Sequence, residues 1–138
     1  MMLRVEEFMT GEVVALRPHD TLAHADRLMT RAGIRHLPVI DDRRYVVGIV
    51  SLKDVTRALA ASEDGERPVG DFMTQPVQTI EPEAPAWQAV ELLLDHRIGA
   101  VPVVGPKGEL IGIVTDTDFL QVAHRALHGR SGFELANL

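Results

Sequence analysis

The chain contains no cysteine. Disulfides and thiolate metal sites are therefore excluded, which fits a reducing compartment. Aromatic residues are scarce, at 4% against 46% apolar residues overall, so the core has to come from Val, Ile, Leu and Ala. No apolar run approaches the roughly 18 residues of a membrane span, and no signal-peptide pattern opens the sequence. A cytoplasmic protein without a membrane partner is expected. Nor is there an excess of positive charge. The formal net charge is −6, which argues against a nucleic-acid partner. Catalytic signatures are missing as well: there is no G-x-S-x-G, no phosphate loop, and no carboxylate pair with a recognisable partner. We expect no enzyme and no required cofactor. His124 and His128 stand four apart on an expected helix, but no Glu completes an H-E-x-x-H pattern, so no metal site is expected.

What the sequence does contain is a duplication. Its 138 residues are one domain's worth of chain, long enough to bury roughly 70% of the unfolded surface. Displaced by 64 positions, the sequence matches itself without a gap. Phe8-Met9-Thr10 falls on Phe72-Met73-Thr74, Pro38-Val39 on Pro102-Val103, Gly48-Ile49-Val50 on Gly112-Ile113-Val114, and Asp54 on Asp118. A single register held over the whole unit marks an internal repeat.

Each copy reads as β-α-β-β-α, an α/β (α+β) unit. An extended piece, "EVVAL" or "PVQTI", precedes a turn at Pro18 or Pro82. A helix follows from near Asp20, ended by Gly33, or from Pro85 as its first residue. Two β-branched runs then form a hairpin around "DDRR" or "GPKGE", with Pro38 and Pro102 confined to a strand start or edge. The closing helices are "DVTRALAA" and "DFLQVAHRAL". The expected boundaries are 1–62 for the first copy, 63–68 for a polar linker, 69–126 for the second copy, and 127–138 for a weakly apolar tail.

Each copy closes on G-I-V-[S/T]-x-x-D, at Ser51 to Asp54 and at Thr115 to Asp118. One reading is structural. The hydroxyl caps a helix and the acid favours its positive end. The other reading uses the same atoms for a ligand. Free amides and the dipole attract phosphate, while the Asp accepts from both hydroxyls of a ribose. Gly48 and Gly112 let a ligand or backbone come close.

With "FMT", "GIRHLPVI", "IGAVPVV", "GIVSLKD" and "GIVTDTD" in order, the chain resembles a tandem pair of cystathionine-β-synthase (CBS) domains, a Bateman module, over roughly residues 5 to 124. The resemblance implies two repeats packed through their sheets about a pseudo-twofold axis, with two clefts between them. It implies adenosine ligands in those clefts, namely AMP, ADP, ATP or S-adenosylmethionine. Carried over by position, one cleft uses Thr10, Val13, Ala15, Arg35, His36, Thr115 and Asp118. The other uses Thr74, Val77, Thr79, Gly99, Ala100, Ser51, Lys53 and Asp54.

The copies differ at these positions. Arg35 and His36 become Gly99 and Ala100, Lys53 becomes Thr117, and Asp116 adds an acid. On this reading the first cleft grips phosphate through Arg35, helped by a His36 that protonates below about pH 6.5. The second then relies on Lys53 alone. The resemblance also implies a homodimer, for which the apolar faces around Leu28, Leu92 and Leu120 and the indole of Trp87 are candidates. Function is read as a stand-alone regulatory module that senses adenosine ligands and controls a partner protein of unknown identity. A ligand-free protein–protein adaptor is the competing class. The Ser/Thr-x-x-Asp pair in both copies favours the first.

Overall fold

The computed structural model describes residues 2–62 and 64–129. Each copy begins with a one-turn 3-10 helix, at Val5–Glu7 and at Val69–Asp71. The first copy continues through α1 (Leu22–Ala32), β1 (His36–Ile40), β2 (Val46–Ser51) and α2 (Leu52–Ser62). The second continues through α3 (Ala86–His96), β3 (Ala100–Val104), β4 (Leu110–Thr115) and α4 (Asp116–Gly129). Glu63 of the expected linker and residues 130–138 of the expected tail lie outside the described residues, and α4 runs on into the segment expected as tail.

Local chemistry sets the helix ends. The Thr21 hydroxyl accepts from the His24 amide at 3.1 Å and caps α1. Gly33 ends it in the left-handed region, at φ 66°. Its equivalent at the end of α3 is Arg97, which holds a φ of 52° despite its side chain. Pro85 is the cap of α3 rather than its first residue. The hairpins β1–β2 and β3–β4 are antiparallel and in equivalent register, Leu37 opposite Val50 and Val101 opposite Val114. At the first tip, the Asp41 carboxylate accepts from the amides of Arg43 and Tyr45, and Arg17 pairs with Asp42.

The first expected strand of each copy shrinks to a single parallel bridge, Leu16 to Val39 and Ile80 to Val103. The reason is Pro38 and Pro102. Leu16 donates to the Pro38 carbonyl at 2.9 Å and accepts from Ile40 at 2.8 Å, but the next rung back needs a proline N–H that does not exist. Both prolines sit inside their strands with the missing donor turned toward this outer edge, so the hairpin loses nothing.

The two cores are offset from the repeats. One gathers Leu16, Leu22, Met29, Leu37, Val39 and Val50 with Val69, Phe72 and Met73, which open the second copy. The other gathers Ile80, Leu93, Val101, Val103 and Val114 with Val5, Phe8 and Met9, which open the first. Each opening segment has thus crossed to the other copy. Val5 donates to Ala84 at 2.9 Å, and Val69 to Asp20 at 2.7 Å. Thr10 exchanges two backbone bonds with Ile113 (2.9 and 3.0 Å), and Thr74 does so with Ile49 (2.8 and 3.2 Å). The hairpin tips also meet, with Leu110 donating to Arg44 at 2.9 Å.

The glycine of G-I-V makes this crossing possible. A Cβ on Gly48 would stand 2.8 Å from Met73 Cγ, and one on Gly112 would stand 2.6 Å from Met9 Sδ and 3.1 Å from the Thr10 carbonyl. Of the candidates for a dimer contact, Leu28 and Leu92 are partly buried against the cores, while Trp87 and Leu120 stand out in solvent.

Gly48→Ala and Gly112→Ala should therefore each cost about 1–3 kcal/mol by overpacking. Urea unfolding measures this. An unshifted midpoint in both variants would mean that the methionines swing aside freely.

Candidate functional site: two cavities on the seam between the copies

Each crossing strand leaves a cavity between itself and the N-terminus of the helix that follows the opposite hairpin. The larger, of about 830 Å³, brings together Ser51, Lys53 and Asp54 from the start of α2, Thr74 and Val77 from the crossing strand, and Gly99 and Ala100. The smaller, of about 520 Å³, brings together Thr10, Val13, Arg35, His36, Thr115 and Asp118. Both volumes fall in the range of about 300–1,000 Å³ usual for small-molecule sites. Ala15 lines neither, and Thr79 instead lines a third recess of about 620 Å³ near the hairpin tips. Both lie further along their strands toward the single bridges at Leu16 and Ile80.

The two helix starts differ in detail. Ser51 Oγ accepts from the Asp54 amide at 3.1 Å. Thr115 Oγ1 accepts from the Asp118 amide at 3.4 Å, and Asp118 Oδ2 accepts in return from the Thr115 amide at 2.8 Å. The second copy therefore closes a full capping box, which occupies one carboxylate oxygen. Around Ser51 the hydroxyl bond alone is present among the described residues. Leu52 donates to the Arg35 carbonyl at 2.7 Å and Asp116 to the Gly99 carbonyl at 3.0 Å, tying each helix start to the strand before the hairpin.

Arg35 and His36 line both cavities, so they form the wall between them. The His36 ring occupies the space that Gly99 leaves open: a Cβ there would lie 2.7 Å from His36 Nε2 and 3.6 Å from Asp116 Oδ2. Burial pushes the His36 pKa below its ordinary value, Asp116 opposes that, Arg35 adds to it, and Asp54 opposes it more weakly. The imidazole accordingly stays neutral further into acid than the ordinary histidine range used in the sequence reading.

The expectation that the second cleft relies on Lys53 alone is overturned. Arg35, Arg57 and Arg97 line the same cavity. Arg57 follows Lys53 by four residues and so shares its helix face, a signal the sequence offered. Arg97 is carried there by the left-handed end of α3, which the sequence did not announce. The smaller cavity holds Glu12, Asp116 and Asp118 beside its one arginine.

No group of three or more potential metal-binding side chains occurs among the described residues; His124 and His128 are a pair, with ring centres 6.1 Å apart. No helix among them is long and apolar enough to cross a membrane.

Comparison with known proteins places these features. The family model described as "CBS domain" matches residues 5–61 and 69–125. Inosine-5′-monophosphate dehydrogenase of Korarchaeum cryptofilum is 39% identical over 122 residues, covering 88% of this chain but 25% of that protein. The chain thus spans about a quarter of that relative's length. Among solved structures, a putative acetoin utilization protein (AcuB) from Vibrio cholerae aligns with a TM-score of 0.84 at 34% identity, covering 93% of this chain and 96% of that one. CBSX2 in complex with AMP, a protein of Arabidopsis thaliana, aligns with a TM-score of 0.76 at 29% identity, covering 89% and 97%.

The lowered His36 pKa gives a signed expectation. Between the unfolded value near 6.5 and the lower folded value, the unfolded chain binds more protons, so stability falls as pH drops through that window. His36→Gln should remove this part of the pH dependence. Thermal unfolding of both proteins from pH 7.5 to pH 5 provides the comparison, and parallel curves would contradict it.

Proposed function

The chain belongs to the CBS-domain family, and from that premise we propose that it is a regulatory module rather than an enzyme, holding adenosine-containing ligands in its two seam cavities. The observation that carries the reading is the pairing of each cavity with the first turn of an α-helix that presents a hydroxyl and, three residues on, a carboxylate. Free first-turn amides and the helix dipole suit a phosphate or another electron-rich group. Asp54 and Asp118 are acceptors for the vicinal hydroxyls of a ribose. Val77 and Val13 supply an apolar wall for a purine, with no aromatic ring needed. The AMP complex of CBSX2 supports the choice of an adenosine ligand over other ribosides.

Asp54 is the freer acceptor of the two. In the smaller cavity a ribose competes with the Thr115 amide for Asp118, so binding there has to open part of the capping box. Asp54→Ala is expected to weaken AMP binding at the larger cavity, and Asp118→Ala adenosine binding at the smaller, each by about 10- to 100-fold, the loss of a hydrogen bond to a charged group. Calorimetric titration measures both. Unaltered binding in both variants would favour the adaptor function instead.

The module is further proposed to act as a homodimer that answers to its ligand and controls a separate protein from the cytoplasm. Trp87 and Leu94 on α3, 52% and 71% exposed, and Leu120 and Leu127 on α4, 66% and 60% exposed, stand in solvent at helical spacing. No large apolar side chain of α1 or α2 is exposed in this way. A self-complementary patch on the second copy's helices explains that imbalance. Leu94→Asp combined with Leu120→Asp should shift the protein to monomer in sedimentation experiments. A dimer that persists in this variant would place the contact elsewhere.

A further inference from the structure

We propose that the two cavities sort adenosine ligands by charge: the larger takes phosphate-bearing ligands, and the smaller takes ligands that are uncharged at the 5′ position. The inference rests on the adenosine reading above and goes beyond it by assigning a ligand class to each cavity.

The duplication supplies an internal comparison, since the same frame is built twice and only side chains differ. Lys53 in the larger cavity corresponds to Thr117 in the smaller, and Arg97 to Gly33; the position of Arg57 is held by Gln121, which does not line the smaller cavity. Leu52 corresponds to Asp116, and Pro76 to Glu12. Each of these exchanges moves charge in the same direction; the exchange of Arg35 for Gly99 runs the other way, but Arg35 lines both cavities. The larger cavity is lined by Arg35, Lys53, Arg57 and Arg97 with Asp54 as the acid among its lining residues. The smaller is lined by Arg35 with Glu12, Asp116 and Asp118.

Arg97 adds a second, independent observation. The end of α3 needs a left-handed residue, and the first copy meets that need with Gly33 at no steric cost. The second copy holds an arginine there at φ 52°, against its backbone preference, and the residue lines the cationic cavity. A guanidinium offers paired donors to phosphate oxygens, and Lys53 adds a compact charge at the same helix start. In the smaller cavity, Asp116 stands at the first turn of α4, where a phosphate would have to approach. Arg35 serves both sides of the wall, so it does not restore the balance.

The test uses the full chain and two probes that share a nucleoside: AMP, and 5′-methylthioadenosine, which carries a neutral thioether in place of the phosphate. Both are titrated calorimetrically into the unmutated protein and into an Arg57→Gln/Arg97→Gly variant, the glycine being chosen because it suits the left-handed position. AMP is expected to lose at least tenfold more affinity than 5′-methylthioadenosine, and raised salt should weaken AMP selectively in the unmutated protein. Asp116→Asn should add AMP binding at the smaller cavity, read as a gain in stoichiometry. Equal weakening of both probes in the arginine variant would show that the arginines shape the cavity, and would overturn the sorting while leaving adenosine binding intact. Binding of neither probe to the unmutated protein would overturn the adenosine reading itself.

Discussion

The seat of one methionine over one glycine, made twice, holds the molecule together. Met73 lies on Gly48 and Met9 lies on Gly112, and each contact carries a crossing segment onto the other copy's hairpin. The buried Val5 and Val69 anchor those segments in the opposite core. Neither copy closes its own core without residues from its twin. Burying each valine is favourable by about 1.5 kcal/mol or more, and that gain exists only in the joined state. The cavities are by-products of the crossing. They open where the strand leaves the methionine and passes the helix start, so each is walled by both copies.

A frame that is symmetric in backbone carries side chains that are not. His36 fills the room that Gly99 vacates, and two histidines could not face each other there. The capping box is complete at Thr115 and half-formed at Ser51, so the same four-residue pattern leaves one aspartate partly occupied and the other available. The structural role of this pattern is therefore compatible with the proposed ligand role. The hydroxyl and the acid stabilise the helix start, and that role orients them toward the cavity in which a ligand is proposed.

Much of this was legible in the sequence because repetition multiplied weak signals. Gly48 alone reads as a flexible point in a strand. Gly48 and Gly112 in register, each before a hydroxyl and an acid, read as a constructed site. The hairpins were legible from β-branched runs around polar turns, and α1 from its apolar spacing and Gly33. What escaped was long-range. No local pattern states that Val69 buries beside Leu22, or that Met9 belongs over Gly112, because linear spacing does not encode a crossing between copies. The shortening of the first strand was written in Pro38 and Pro102, but only once Leu16 was known to lie beside them. Arg57 was visible one helical turn beyond Lys53. Arg97 was not, since it reaches its cavity through a backbone conformation that glycine would ordinarily supply.

The most direct measurement is a crystal structure of the protein grown with AMP. The expected result is a nucleotide in the larger cavity, with its purine against Val77 of the second copy and its ribose hydroxyls on the Asp54 carboxylate of the first. Its phosphate is expected at the α2 N-terminus, within reach of Lys53, Arg57 and Arg97. A nucleotide bound away from both seam cavities, or held by one copy alone, would contradict the conclusion that the crossing of the two copies creates the site.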